Sequence, residues 1–131
     1  MFTSIKTSKR NKLLVSELTR RLNLGAENTI ARIAFAHSLS QDRKMELKQI
    51  KDSGGKEYST KVLFGDYSEF YIGLICASYK LHKTDKDIAR YIKMHIDDGL
   101  EQISQEIDLK SSITGSEFLT DAIERGIKYL A

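Results

Sequence analysis

The sequence predicts a mainly α protein: a short strand and two helices at the N-terminal end, about three further helices after them, and assembly into an oligomer. Three observations carry this. The chain has no proline, so nothing forces breaks in its helices. Ile88, Tyr91, Ile92, Ile96, Leu100, Ile103 and Ile107 recur at helical spacing over several turns, the clearest periodicity in the chain. Asn23-Leu24-Gly25 divides two helical stretches of different character, the first amphipathic and basic, the second apolar nearly all round.

The elements follow in order. Residues 2–7 hold Phe, Ile and Thr, which suit an extended strand. Ser8 is placed to cap a first helix, in which Leu14, Val15, Leu18 and Leu22 share one face. Gly25 supplies the turn. A second helix at residues 27–39 carries Ile30, Ala31, Ile33, Ala34, Phe35 and Ala36 and must be buried on more than one side, which points to a second subunit as its cover. Residues 40–58 are polar and read as a loop, with a short strand or helical turn near 45–50. Asp66 caps a third helix at 67–79, with Phe70, Tyr71, Leu74 and Ile75 facing the core, and Gly65 permits a tight entry. Thr84 caps the long periodic helix, residues 111–115 form a linker, and Ser116 caps a last helix with Phe118, Leu119, Ala122, Ile123, Ile127 and Leu130. At 131 residues this is one domain, with residues 1–40, 63–107 and 111–131 as its three parts.

Apolar residues at 40% and charged residues at 30% are ordinary for a soluble globular chain. No segment approaches the roughly 18–20 apolar residues of a membrane span. MFTSIKTSKRNK has no apolar core of a secretory signal, and the single Cys76 cannot form an internal disulfide, so a cytoplasmic protein is expected. The net charge of +3 hides an asymmetry: residues 1–62 hold 13 Lys and Arg against 6 Asp and Glu, whereas residues 63–131 hold 8 against 12. Such a split favours a polyanion at one end.

Lys6, Lys9, Arg10 and Lys12 cluster at that end, followed by Arg20 and Arg21. Lys and Arg gain affinity for DNA by releasing condensed counterions, so these six are the candidate phosphate contacts. The order strand, basic helix, Gly turn, apolar helix resembles the ribbon-helix-helix group of small DNA-binding dimers. There, strands of two subunits pair and enter the major groove, and the N-terminus of the second helix holds a phosphate. The resemblance implies Thr3, Ser4 and Lys6 near the groove and Gly25 and Ala26 at the opening of the second helix. Glu27 puts negative charge where that phosphate would sit, so backbone binding is expected over sequence reading.

Other chemistry is thin. Asp85, Asp87, Asp97, Asp98 and Glu101 could hold Mg²⁺ for phosphoryl chemistry, and Asp97 and Glu101 share a face. Asp85 and Asp87 suit a helix start, and a solvated acidic face explains the group more simply. His37, His82 and His95 are scattered, and His95 beside the apolar stripe reads as a hydrogen-bonded packing residue. Cys76 in LICASY has an apolar setting that suits an inert thiol. There is no Walker loop, dinucleotide turn, metal-type Cys/His spacing or nucleophile elbow. No catalytic residue and no metal site is therefore assigned.

KTSKRNKLLVSELTRRLNLGAENTIARIAF, GKEYSTKVLFGDYSEFYIGLICASYK and YIKMHIDDGLE, in this order, resemble the DndE family of DNA sulfur-modification proteins over roughly residues 6–101. The resemblance implies a role in DNA phosphorothioation, in which sulfur replaces a non-bridging phosphate oxygen. It implies double-stranded DNA as partner, other modification subunits that include an iron–sulfur protein and an ATPase, no cofactor, no enzymatic activity, and a homodimer or homotetramer. Residues 108–131 match less clearly. Two rivals are a scaffold that recruits those subunits without gripping DNA, and a metal-dependent nickase using Asp97, Asp98 and Glu101.

Overall fold

The computed structural model describes residues 2–109 and 114–130. The chain runs β1 (Ser4–Lys6), α1 (Lys9–Leu22), α2 (Glu27–Ser40), a 3₁₀ turn at Leu47–Gln49, β2 (Glu57–Ser59), α3 (Thr60–Phe64), a second 3₁₀ turn at Gly65–Tyr67, α4 (Ser68–Tyr79), α5 (Ile88–Leu109) and α6 (Gly115–Leu130). The mainly α reading and the strand–helix–helix start hold. Part of the expected linker, residues 111–113, lies outside the described residues.

α5 is the axis of the fold. Residues 92–97 are buried on every side of the helix, because α2, α1, α4 and β1 all pack on it. Ile92, Ile96, Leu100, Ile103 and Ile107 are each at most 2% exposed, as their spacing predicts. α2 lies against α5 along its length, burying Ile30, Ala31, Ala34 and Phe35. Burial of a side chain such as Phe35 stabilises by roughly 1.5–3 kcal/mol. The two backbones meet at Gly99, where a Cβ would collide with the carbonyl oxygen of Ala34. Phe35 also meets the ring of Phe64 edge-on at 5.4 Å, and Phe64 stacks on Tyr71 at 4.6 Å, which ties α3 and α4 to α2.

This corrects the expectation that a second subunit covers the second helix. α2 is covered by α5, α1 and α3 of its own chain, so Ile30, Ala31, Ala34 and Phe35 are buried without a second subunit.

The ribbon is also corrected. β1 finds its ladder partner within its own chain, pairing antiparallel with β2, Ile5 opposite Tyr58. Ile5 and Tyr58 point into the core, and Lys6, Glu57 and Ser59 face outward. The ladder continues through Thr7 N–H to Lys56 O and Thr60 N–H to Thr3 O, both 2.9 Å. Gly55 packs directly on the carbonyl of Ser8, a spot with no room for a side chain, and donates its N–H to Thr7 O.

The caps differ from those expected. Ser8 stands at the N-cap of α1, but its hydroxyl makes no capping bond. Ser59 caps α3 by accepting from Val62 N–H, and Asp66 sits in the following turn, where it caps nothing. Asp87, not Thr84, opens α5: its carbonyl accepts from Tyr91 N–H. Thr114 and Glu117 form a reciprocal capping box on α6, displacing Ser116 from that role. α6 is moored by Phe118, which is 2% exposed and packs beside His37. No helix of the described residues is long and apolar enough to cross a membrane.

Candidate nucleic-acid interface

α1 carries five of the six candidate cations, and its seating decides which of them are free. Val15, Leu18 and Leu22 bury one face. Lys9, Leu13, Ser16 and Arg20 then form the outward stripe by helical spacing, with Lys12 beside it, and all five are exposed. Lys6 is exposed on β1. Among the described residues Lys6, Lys9, Lys12 and Arg20 have no side-chain ion partner. Arg10 and Arg21 turn instead toward α5. Arg10 lies 3.7 Å from Glu101, and Arg21 lies 2.9 Å from Asp108 and 3.5 Å from Glu17. The groove between α1 and α5 is lined by Arg10, Arg43, Glu17, Asp98, Glu101 and Asp108, so it is no cationic channel.

The start of α1 is held by carboxylates. Asp97 Oδ1 accepts from the Ser8 N–H at 3.0 Å and from Asn11 Nδ2 at 2.7 Å. Asp52 Oδ2 accepts from the Lys9 N–H at 2.9 Å. These acids answer the positive helix end, which leaves the Ser8 hydroxyl buried without a partner. Backbone N–H donation from Lys9, then Gly54, lowers the pKa of Asp52. At α2, Glu27 is drawn aside to Lys56 at 3.3 Å and Ser16 at 3.3 Å. The helix start has no side-chain cap, and Gly25 and Ala26 are exposed.

The acidic residues of the nickase rival are each engaged. Asp97 is 2% exposed and pairs with the buried Lys93 at 2.8 Å. Asp98 accepts from Arg43 at 2.6 Å and from Ser38 at 2.5 Å. Glu101 pairs with Lys51 and Arg10. No group of three or more His, Cys, Asp or Glu side chains among the described residues is arranged to hold a metal ion.

His95 joins a relay that the sequence did not disclose. Its Nδ1 lies 2.9 Å from Ser38 Oγ, and its Nε2 lies 2.7 Å from the Tyr79 hydroxyl. The Ser38 proton goes to Asp98, which only accepts, so Nδ1–H donates to Ser38 and Nε2 accepts from Tyr79. The Tyr79 oxygen takes the Met45 N–H at 2.9 Å. The chain of bonds thus closes on a neutral imidazole. Burial lowers the His95 pKa to about 4. The unfolded chain, near pH 6.5, then binds its proton first, so the penalty is absent above pH 6.5 and grows as pH falls toward 4. We predict that wild type loses roughly 2–3 kcal/mol more stability over that window than His95→Gln does. Urea denaturation at half-unit pH steps from 7 to 4 checks this; parallel curves would refute it.

The comparisons fit this architecture. The model of the family described as DNA sulphur modification protein DndE matches residues 4–111. The chain belongs to the DndE family. The crystal structure of DndE from Escherichia coli B7A, described as involved in DNA phosphorothioation modification, superposes with a TM-score of 0.64 at 14% identity, covering 79% of this chain and 98% of that one. A DndE mutant with glycine-to-lysine changes, involved in DNA phosphorothioation, gives 0.65 at 16% identity, with the same coverage. At such identity the two structures show the fold. No curated protein matches the chain. The family match ends at residue 111, so α6 is an addition outside the family core.

Proposed function

We propose that this chain is a DNA-binding accessory subunit of phosphorothioate modification, one that grips the phosphate backbone while other subunits, an iron–sulfur protein and an ATPase, do the sulfur chemistry. The observation that carries the reading is the set of four exposed cations, Lys6, Lys9, Lys12 and Arg20, without acid partners on elements stitched to the core. Lys9 and Arg20 are eleven residues apart on one stripe, about 17 Å along the helix axis. That is roughly five base pairs at 3.4 Å each. Lys9, Lys12 and Arg20 sit on a helix whose start is fixed by Asp97 and Asp52, and Lys6 on the strand before it, so little backbone ordering cost remains on binding. Arg10 and Arg21 rank below the four, because binding a phosphate would take them from Glu101 and Asp108. The pairing of Glu27 with Lys56 relieves the negative charge at the start of α2, so a phosphate contact there stays compatible.

Fluorescence anisotropy with intact and nicked duplexes at several salt concentrations tests this. Wild type should lose affinity steeply with salt. The triple variant Lys9→Ala, Lys12→Ala, Arg20→Ala should bind all sequences more weakly alike, with a salt slope lower by about three. An unchanged slope would sink the assignment of these three residues, and no binding by wild type even at low salt would move the function to the scaffold reading, with the arm serving a protein partner.

A further inference from the structure

A second group of cations lies in the half of the chain whose net charge is negative. The loop from α4 into α5 carries Lys80, Lys83 and Lys86. Lys83 and Lys86, with Phe2, Thr84, Asp85 and Ile88, line a cavity of about 370 Å³. Its size lies within the roughly 300–1,000 Å³ of small-ligand sites. The walls are held from several sides. α4 ends in left-handed backbone at Lys80, and Leu81 N–H donates to Cys76 O at 2.9 Å. The Asp85 N–H donates to His82 O at 2.9 Å, and Asp85 Oδ1 accepts from Asp87 N–H at 2.8 Å. Ile88 is buried and Phe2 is half-buried against the core, which fixes the apolar side of the cavity.

The lining offers three kinds of chemistry. Lys83 and Lys86 are exposed, and among the described residues neither has an ion-pair partner. Two unpaired ammonium groups on one cavity suit a phosphate. Phe2 offers its ring to a flat group, the stacking by which aromatic side chains hold bases. Thr84 and Asp85 supply acceptors. The Thr84 N–H can only donate, so His82 Nδ1 accepts from it at 3.2 Å and from the Thr84 hydroxyl at 2.8 Å. With its proton turned to His82, the Thr84 oxygen keeps its lone pairs, and Asp85 keeps Oδ2. Such acceptors pair with the exocyclic amine of adenine or cytosine, whereas thymine presents an acceptor in that place. We propose that this cavity binds a nucleotide, its phosphate on Lys83 and Lys86, its base against Phe2, and the base's amine on Thr84 or Asp85. An inorganic anion would use the lysines and leave the ring idle, and a purely apolar ligand would strand both lysines. The nucleotide is either free or one unit of a DNA strand. No residue of α1 lines the cavity, so the site stands apart from the cationic stripe.

Amide chemical-shift mapping of the full chain tests this. Titration with dAMP should move the signals of residues 83–88, with half-saturation at about 1 mM or lower. Binding of dTMP should be several-fold weaker, and inorganic phosphate weaker still. The double variant Lys83→Ala, Lys86→Ala should lose about tenfold in dAMP affinity. Phe2→Ala should lose about tenfold as well, with phosphate binding unchanged. The double variant Lys9→Ala, Lys12→Ala should bind dAMP as wild type does, which separates this site from the proposed grip on DNA. In that same variant a single-stranded oligonucleotide distinguishes the two sources. Shifts of the same amides at lower concentration than with dAMP assign the site to a nucleotide of DNA, and shifts only at higher concentration assign it to a free nucleotide. No shift at residues 83–88 with either ligand would overturn the proposal. So would dTMP or inorganic phosphate binding as tightly as dAMP, or wild-type affinity in the lysine double variant or in Phe2→Ala.

Discussion

Asp97→Ala is expected to cost about 3–5 kcal/mol, a large share of the 5–15 kcal/mol that holds a domain together. Lys93 is buried with Asp97 as its charged partner, and its ammonium also donates to Asp52 O at 2.7 Å. Truncating the aspartate would leave that charge uncompensated and strip the Ser8 amide and Asn11 of their acceptor. The cost lies in breaking the pair, not in lacking it, so a double variant separates the two. Lys93→Met with Asp97→Leu should recover most of the loss, with a remainder of roughly 1–3 kcal/mol for the orphaned donors at the start of α1. Urea titrations of the three proteins decide it. A single variant within 1 kcal/mol of wild type would show that Asp97 does not pin α1 to α5.

Gly99→Ala should destabilise by about 1–3 kcal/mol, against the usual trend. Within a helix that exchange ordinarily stabilises by roughly 1 kcal/mol, because alanine costs less backbone entropy. At Gly99 the added methyl meets the carbonyl oxygen of Ala34, a backbone atom that cannot yield unless α2 moves as a body. Gly126→Ala is the control: α6 leaves open space there, so the ordinary gain should appear. Thermal unfolding of both variants should shift in opposite directions. A gain at Gly99 would mean that α2 and α5 are not in backbone contact.

Long helices with one apolar stripe were legible in the sequence, because Val15, Leu18 and Leu22, or Ile92 through Ile107, repeat often enough for the period to show. Short elements were not. β2 is three residues with one apolar side chain, too few to show alternation, and α3 is barely more than one turn. The apolar character of α2 was read correctly, but its cover was assigned to another molecule, since nothing local says that Gly99 lets α5 close on it. The candidate site split in the same way. Residue type identified six cations, but that Arg10 lies beside Glu101 while Lys9 faces away from it is settled by tertiary packing. One signal was present in the sequence and passed over. Lys93 and Asp97 sit four apart, each directly after an isoleucine of the apolar stripe, Ile92 and Ile96, the spacing of an ion pair on a helix that is buried all round there.

Closing β1 onto β2 within one chain changes how any assembly of this protein behaves. Subunits that lend each other a strand are interlaced, and such dimers cannot part without unfolding. Here the ribbon closes within one chain, so any contact between copies would be made by finished surfaces. Subunit exchange should then run at the rate of dissociation, not at the rate of refolding. If copies do associate, particles with one intact and one neutralised arm could be prepared by mixing two purified proteins, and the proposed contribution of each arm to DNA affinity tested singly.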